Sequence, residues 1–404
     1  MKLRCASCGQ TYALSDLAWR CTHCHGMLDL TGFTPVMPPP GDLALRRPSL
    51  WRYAEALPIA EPLGITLGEG FSPLVSAPGR PGVQLKVDYL MPTGSFKDRG
   101  AVLLVALAAS LGVTRLMTDS SGNAGTAVAA YAARAGISCG VYVPESTSAG
   151  KVAQLRAYGA EVFQIPGSRE DTAEAAARAA DVPGVFYASH VYHPFFLQGT
   201  KTYVLELWEQ SGGRLPETLV LPVGNGTLVL GAYLGCVELL SQGLIDRLPR
   251  IVAVQAARCA PLATAFADGL PAPAGLTLPG LTVPGLTVPG LTPSGLTPSG
   301  VTPSGVTSSG LTSSGNTASG TVAEGIAIAR PARGAQILSA VRETGGSIVT
   351  VTDDQIHSAH TELARAGLYV EPTSAVCWAA ISSFGLEDAV APLCGSGLKS
   401  KPPA

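Results

Sequence analysis

Residues 115–143 read RLMTDSSGNAGTAVAAYAARAGISCGVYV. A short apolar run, Arg115–Thr118, enters a serine and glycine turn; an alanine-rich stretch of good helix formers, Ala124–Ala135, follows, and Cys139–Val143 then returns as a second run rich in valine. This is strand, loop, helix, strand, the unit that builds parallel sheets. Working outward, the same alternation recurs. Val83–Val87, Val162–Ile165, Val185–Ala188, Leu219–Val223, Ile251–Gln255 and Ser347–Val351 read as further strands. Gly100–Leu111, Gly150–Tyr158, Thr172–Ala180 and Gly226–Leu240 read as helices between them. The regularity predicts a doubly wound α/β architecture, in which ligands bind outside the carboxyl ends of the strands.

The whole chain has 404 residues, 46% hydrophobic and only 14% charged, with a formal net charge of −2. It can bury a large core, and it has neither the basic field of a nucleic-acid-coating protein nor an acidic tail. Met1-Lys2-Leu3-Arg4 runs directly into Cys5 without an apolar segment, so a secretory leader is not expected. Ala101–Val113, broken only by Ser110, is too short for a bilayer, which needs roughly 20 residues. Nine widely spaced cysteines suit a reducing, cytoplasmic location with some thiols committed to a metal.

Those thiols stand in residues 1–30. Cys5-Ala6-Ser7-Cys8 and Cys21-Thr22-His23-Cys24 are two C-x2-C knuckles separated by twelve residues. Each knuckle can supply two thiolates to one Zn²⁺ at about 2.3 Å, and a closed site of that kind is structural rather than catalytic. The segment carries only Lys2, Arg4 and Arg20 as lysines and arginines, too few for a nucleic-acid surface. Residues 31–62, rich in proline, read as a tether wrapping the surface, ahead of a catalytic body over 63–404. Within residues 271–320, Gly275–Ser319 consists of nine pentapeptides beginning GLTLP and ending GNTAS. Five matches no helical period, so this insertion reads as a low-complexity loop.

Three motifs fall at predicted strand ends. Pro92-Thr93-Gly94-Ser95-Phe96-Lys97-Asp98-Arg99-Gly100 sets one lysine at a glycine-bracketed turn that opens a helix. Ser120-Ser121-Gly122-Asn123-Ala124-Gly125 and Gly224-Asn225-Gly226-Thr227 each follow a strand and open a helix, where backbone N–H groups converge on an anion.

These motifs, with Leu67-Gly68-Glu69-Gly70, Ser72-Pro73-Leu74, Ala323–Ala327, Val370–Ala375 and Gly395–Lys399, resemble the threonine synthase branch of the fold-type-II, tryptophan synthase β-like enzymes that use pyridoxal phosphate. The resemblance spans nearly everything except the repeat, and an N-terminal zinc ribbon is also found in that family. It implies two doubly wound α/β domains, the smaller and mobile one at about 98–200, with a homodimer as the assembly. It further implies that Lys97 joins the cofactor aldehyde covalently, Asn123 bonds the ring 3-hydroxyl, Gly224, Asn225, Gly226 and Thr227 hold the phosphate, and Ser120, Ser121 and Gly122 receive the substrate carboxylate. The chemistry agrees. A lysine in an apolar site can have its pKa lowered by up to about 3–5, which frees the amine to attack a carbonyl and then to serve as general base at Cα.

Two features depart from the family. Cys394 stands where a serine or threonine usually faces the pyridine nitrogen. A neutral thiol there weakens the electron sink and favours elimination. Aligned on Gly199, Lys201 and Thr202, Val191 and Phe196 replace a serine and an arginine, and Leu228 replaces an asparagine, that grip the phosphate of O-phosphohomoserine. An arginine lost opposite a dianion is not replaced by an aromatic ring; Arg99, Lys151, His190 and His193 are the groups that could stand in. His190 and His193 either make ordinary backbone bonds or contact substrate.

The expected activity is therefore β- or γ-elimination or replacement on a small amino acid, by a lyase resembling threonine synthase but without its phosphate clamp. A serine/threonine ammonia-lyase is the alternative within the same chemistry. A scaffold that binds pyridoxal phosphate without turnover is the alternative of a different class. No nucleic-acid or membrane partner is expected.

Overall fold

A computed structural model describes residues 1–62, 64–274 and 320–399. The pentapeptide repeat lies outside the described residues. In chain order the strands are β1 (Lys2–Cys5), β2 (Thr11–Tyr12), β3 (Leu28–Thr31), β4 (Leu74–Ser76), β5 (Val83–Lys86), β6 (Arg115–Thr118), β7 (Ser138–Pro144), β8 (Glu161–Ile165), β9 (Phe186–Tyr187), β10 (Thr218–Pro222), β11 (Arg250–Ala256), β12 (Ser347–Val351) and β13 (Ala389–Pro392). The helices are α1 (Pro40–Leu43), α2 (Lys97–Ser110), α3 (Asn123–Arg134), α4 (Ala149–Ala157), α5 (Arg169–Ala180), α6 (Pro194–Thr200), α7 (Thr202–Gln210), α8 (Thr227–Ser241), α9 (Pro261–Ala267), α10 (Gly334–Glu343), α11 (Asp353–Arg365) and α12 (Pro372–Phe384).

Three sheets result. The ribbon is antiparallel, in order β2-β1-β3. The larger α/β sheet runs β12-β11-β10-β13-β5-β4, parallel except for the β4–β5 edge, and the smaller, wholly parallel one runs β8-β7-β6-β9. The strand-helix-strand unit of residues 115–143 forms as read, with Leu116 beside Cys139 and Met117 beside Gly140. The strands on either side of the repeat, β11 and β12, are parallel neighbours.

The central strands of the larger sheet, β10 and β13, are buried along their whole length, which is why they are nearly continuous apolar runs, whereas the edge strand β8 of the smaller sheet is only partly covered. Helix α2 is apolar around its circumference, with Ala101 to Ala108 all buried, and it packs against α3 and α6. Among the described residues, no helix is long and apolar enough to cross a membrane.

The proline-rich stretch departs from its reading as a surface tether. Leu43, Leu50, Trp51 and Tyr53 are at most 4% exposed. Arg52 donates to Glu209 at 2.6 Å, and the Tyr53 hydroxyl reaches the same carboxylate at 2.5 Å. Short 3-10 turns over Leu50–Ala56 bury these side chains without helical or strand periodicity, so the apolar pattern was hidden among prolines.

Candidate active site

Four helix N-termini and one strand end meet at the seam between the two α/β units. Lys97 is the first residue of α2, Asn123 of α3, Thr227 of α8, and Glu371 is the N-cap of α12. Cys394 lies just past β13. Helix N-termini carry unpaired N–H groups and positive dipole ends, so their convergence favours anions. In α8 the N-cap Gly226 has φ 77°, the left-handed region that a side chain would resist.

The amine of Lys97 donates to Thr227 Oγ1 at 3.2 Å, bringing the lysine turn against the α8 loop. It also lies 4.5 Å from the Phe96 ring centroid and 5.7 Å from that of Phe196. Burial in these surroundings lowers its pKa to about 8, against the pull of Cys394 and Glu371. The backbone of the turn is fixed from behind: Phe96 N–H donates to Cys394 O at 2.9 Å, and Ser95 bridges Gly395. Burial holds the Cys394 thiol well above its ordinary pKa, so it is neutral.

The Asn123 amide donates to both oxygens of Glu371, at 3.1 and 3.0 Å. Burial raises the Glu371 pKa, with Asn123 and the surrounding lysines opposing. Ser120, Ser121 and Gly122 form the turn ahead of Asn123, where Ser120 Oγ accepts from Gly122 N–H at 3.3 Å. The structure thus brings Lys97 to Thr227 and Cys394, and Asn123 to Glu371. Glu371 was not singled out from sequence, although an N-cap glutamate followed by Pro372 at the first helical position was a readable signal.

The expected phosphate-gripping positions are apolar and packed. Phe196 is fully buried, with its ring laid on Gly100, where a methyl group would come within 2.5 Å of it. Leu228 belongs to the core beneath α8 and is 2% exposed. Val191 is buried, and its carbonyl accepts from Arg333 Nε at 2.7 Å.

Of the four groups that could compensate, Arg99 is spent in a buried cluster, bonded to Asp88 at 2.8 and 3.0 Å and to Glu206 at 2.5 and 2.8 Å. Lys151 pairs with Glu324 at 3.1 Å. His193 caps α6, its Nδ1 accepting from Phe195 N–H at 3.3 Å, and burial beside Arg333 lowers its pKa to about 3. His190 differs. It is 7% exposed, and its Nδ1 is buried with no hydrogen-bond partner among the described residues.

At the other end of the chain, the sulfurs of Cys5, Cys8, Cys21 and Cys24 lie within 4.8 Å of one another. The Cys5–Cys24 and Cys8–Cys21 separations are 3.4 and 3.5 Å, close to the roughly 3.8 Å edge of a tetrahedron of zinc–sulfur bonds. The donor set fits a metal. Cys139, Cys236, Cys259 and Cys377 are buried in the α/β core, away from the cluster.

The family model described as pyridoxal-phosphate dependent enzyme matches residues 65–395. The threonine synthase of Methanosarcina acetivorans is 32% identical over 383 residues, covering 92% of this chain and 84% of that protein. That of Methanocaldococcus jannaschii is 30% identical, covering 93% and 85%. Among solved structures, a T.th. threonine deaminase superposes with a TM-score of 0.60 at 24% identity, over 82% of this chain and 94% of that one. Maize serine racemase gives 0.59 at 21%, over 82% and 89%; both likenesses speak to the fold. The family match over the whole catalytic body, and relatives of this identity over most of both chains, show that the chain belongs to the pyridoxal-phosphate-dependent enzymes as a threonine synthase-like lyase.

Proposed function

We propose that the chain eliminates or replaces an uncharged β or γ substituent on a small amino acid. The observation that carries this reading is the apolar, buried character of Val191, Phe196 and Leu228, the positions where the resemblance places polar phosphate-gripping groups. A dianion set against them would lose its water shell without gaining a cation.

Bound pyridoxal phosphate supplies an electron sink that makes the Cα proton and a neighbouring substituent easier to remove. In this reading Lys97 anchors the cofactor, and its amine, released, moves the Cα proton. The Asn123 amide, which donates to Glu371, would offer a hydrogen bond to the ring hydroxyl. Gly224, Asn225, Gly226 and Thr227 hold the phosphate on the N-terminus of α8, a fifteen-residue helix. Ser120, Ser121 and Gly122 offer hydroxyls and N–H groups to the substrate carboxylate. Cys394, a neutral thiol, does not protonate the pyridine nitrogen. The four thiolates of the ribbon hold a structural zinc.

The neutral Cys394 thiol favours one variant of this reading, a serine/threonine ammonia-lyase, because elimination tolerates a weaker electron sink than reactions that must hold a long-lived carbanion. A panel including serine, threonine and O-phosphohomoserine separates the outcomes by product mass. Keto acid with ammonia marks the ammonia-lyase, and a new amino acid marks replacement. Rapid release of threonine and phosphate from O-phosphohomoserine would overturn the proposal.

Capture of the cofactor has its own pH signature. Below pH 8 the Lys97 side chain is mostly ammonium and cannot attack; above it the free amine dominates. The growth rate of the visible cofactor band on adding pyridoxal phosphate to apoprotein is expected to be about a hundredfold slower at pH 6 than above pH 9. A rate unchanged from pH 6 to 9 would contradict the lowered pKa.

A further inference from the structure

The loop between β9 and α6 carries a histidine that the architecture leaves unused. Its neighbour His193 caps a helix through a hydrogen bond to Phe195 N–H, and Ser189 Oγ accepts from Val191 and Tyr192 N–H. Val191 and Tyr192 carbonyls are taken by Arg333. These polar groups of the loop are engaged, yet the Nδ1 of His190 is buried and unpartnered among the described residues. Burying a polar nitrogen without a partner is costly, and native proteins seldom do it without a ligand to satisfy it.

The position of the ring says which ligand. It stands edge-on to Phe196 with centroids 5.9 Å apart, and the Lys97 amine is 5.7 Å from the centroid of that same Phe196 ring. His190 and the Lys97 amine therefore both border the Phe196 ring, and the charge of Lys97 bears on the imidazole. We propose that His190 is the specificity-determining group that receives an oxygen of the uncharged β or γ substituent, a hydroxyl or an acyl ester, by a hydrogen bond. This rests on the functional reading above and narrows its substrate class.

The chemistry of the ring fits that task. Burial, with the charges of Lys97 and Arg169 nearby, keeps the imidazole well below its ordinary pKa and hence neutral. A neutral ring offers one N–H donor and one acceptor, enough for a hydroxyl or ester oxygen and inadequate for a phosphate dianion. No proton is transferred in this contact; it selects and orients.

The test uses the holoenzyme and reads binding by the shift of the cofactor absorbance alongside kcat and KM. Serine, homoserine and O-acetylhomoserine are compared with alanine and 2-aminobutyrate, which lack the oxygen. The wild type is expected to favour the oxygen-bearing set by at least about tenfold. His190→Phe should shrink that preference to within about threefold while binding of alanine stays unchanged, and His190→Asn, which keeps a donor and an acceptor, should retain part of it. A preference that survives intact in His190→Phe, a wild type without any preference, or equal losses on serine and alanine would each overturn the assignment. Threonine release from O-phosphohomoserine by the wild type would instead sink the functional reading beneath it.

Discussion

Lys97→Ala holoprotein is expected to lose turnover by about 10³-fold or more and to carry no cofactor that borohydride can fix to the chain. The expectation is sharp because other lysines compete on paper. Lys86 and Lys201 are wholly buried, and burial lowers both pKa values. Each, however, is paired with a carboxylate at 2.8 Å, Glu206 for Lys86 and Glu238 for Lys201, whose charge favours the ammonium form. Lys399 donates to Thr93 O at 2.8 Å, and Lys151 pairs with Glu324. Among the described residues Lys97 hydrogen-bonds only to the Thr227 hydroxyl, which favours neither protonation state strongly. Removing its side chain breaks one neutral contact, so the thermal midpoint should move little, and loss of activity cannot be assigned to unfolding. Reduction of the wild-type holoenzyme followed by peptide mapping should mark residue 97. A mark on any other lysine, or an undiminished mark in Lys97→Ala, would remove the basis of the functional reading.

The fold was legible where the chain repeats one local unit. Strand, small-residue turn and alanine-rich helix over 115–143 announce themselves because each element is short, buried on both faces and bounded by glycine. What escaped was decided by distant parts of the chain. β13, four residues long, joins β5 to β10 in the middle of the larger sheet, yet Ala389–Pro392 ends in proline and lacks a run of β-branched residues. Its strand character comes from its neighbours on either side. The buried 3-10 turns near Trp51 were likewise masked, because their apolar spacing follows neither the helical nor the strand period.

The site divides the same way. Lys97, Asn123 and the Gly224–Thr227 loop could be marked because each belongs to a turn that opens a helix after a strand or glycine bracket. Arg333 could not be marked by spacing, and Glu371 could be read only as the N-cap of a helix opened by Pro372, not as a partner of Asn123. Their importance arises from contacts across 248 positions in one case, to Asn123, and 142 in the other, to Val191.

Arg333 supports the second large expectation. The guanidinium is fully buried, and every nitrogen is engaged: Nε to Val191 O at 2.7 Å, Nη1 to Asp29 Oδ1 at 3.1 Å and Gln336 Oε1 at 2.7 Å, Nη2 to Leu28 O at 3.1 Å and Tyr192 O at 2.8 Å. One side chain from the larger unit therefore ties strand β3 of the ribbon to the loop that carries His190. Trp19 of the ribbon reinforces the junction, standing edge-on to Tyr187 and Tyr192 at 5.1 and 4.8 Å and donating to Asp181 at 3.1 Å. Arg333→Met fills much of the volume but leaves three backbone carbonyls and the Gln336 amide oxygen without this donor and removes the cation beside Asp29, which is expected to cost about 3–5 kcal/mol in unfolding free energy. Arg333→Lys should recover only part, since a point charge cannot serve a planar fork of donors. The same loosening should raise KM for the amino acid more than it lowers kcat, because the substrate-facing loop loses its anchor while Lys97, on α2, keeps its own. Denaturant midpoints and steady-state kinetics on both variants check the two halves. A stability loss with KM unchanged would mean that the ribbon braces the fold without reaching the site, and the coupling argued from this junction would fail.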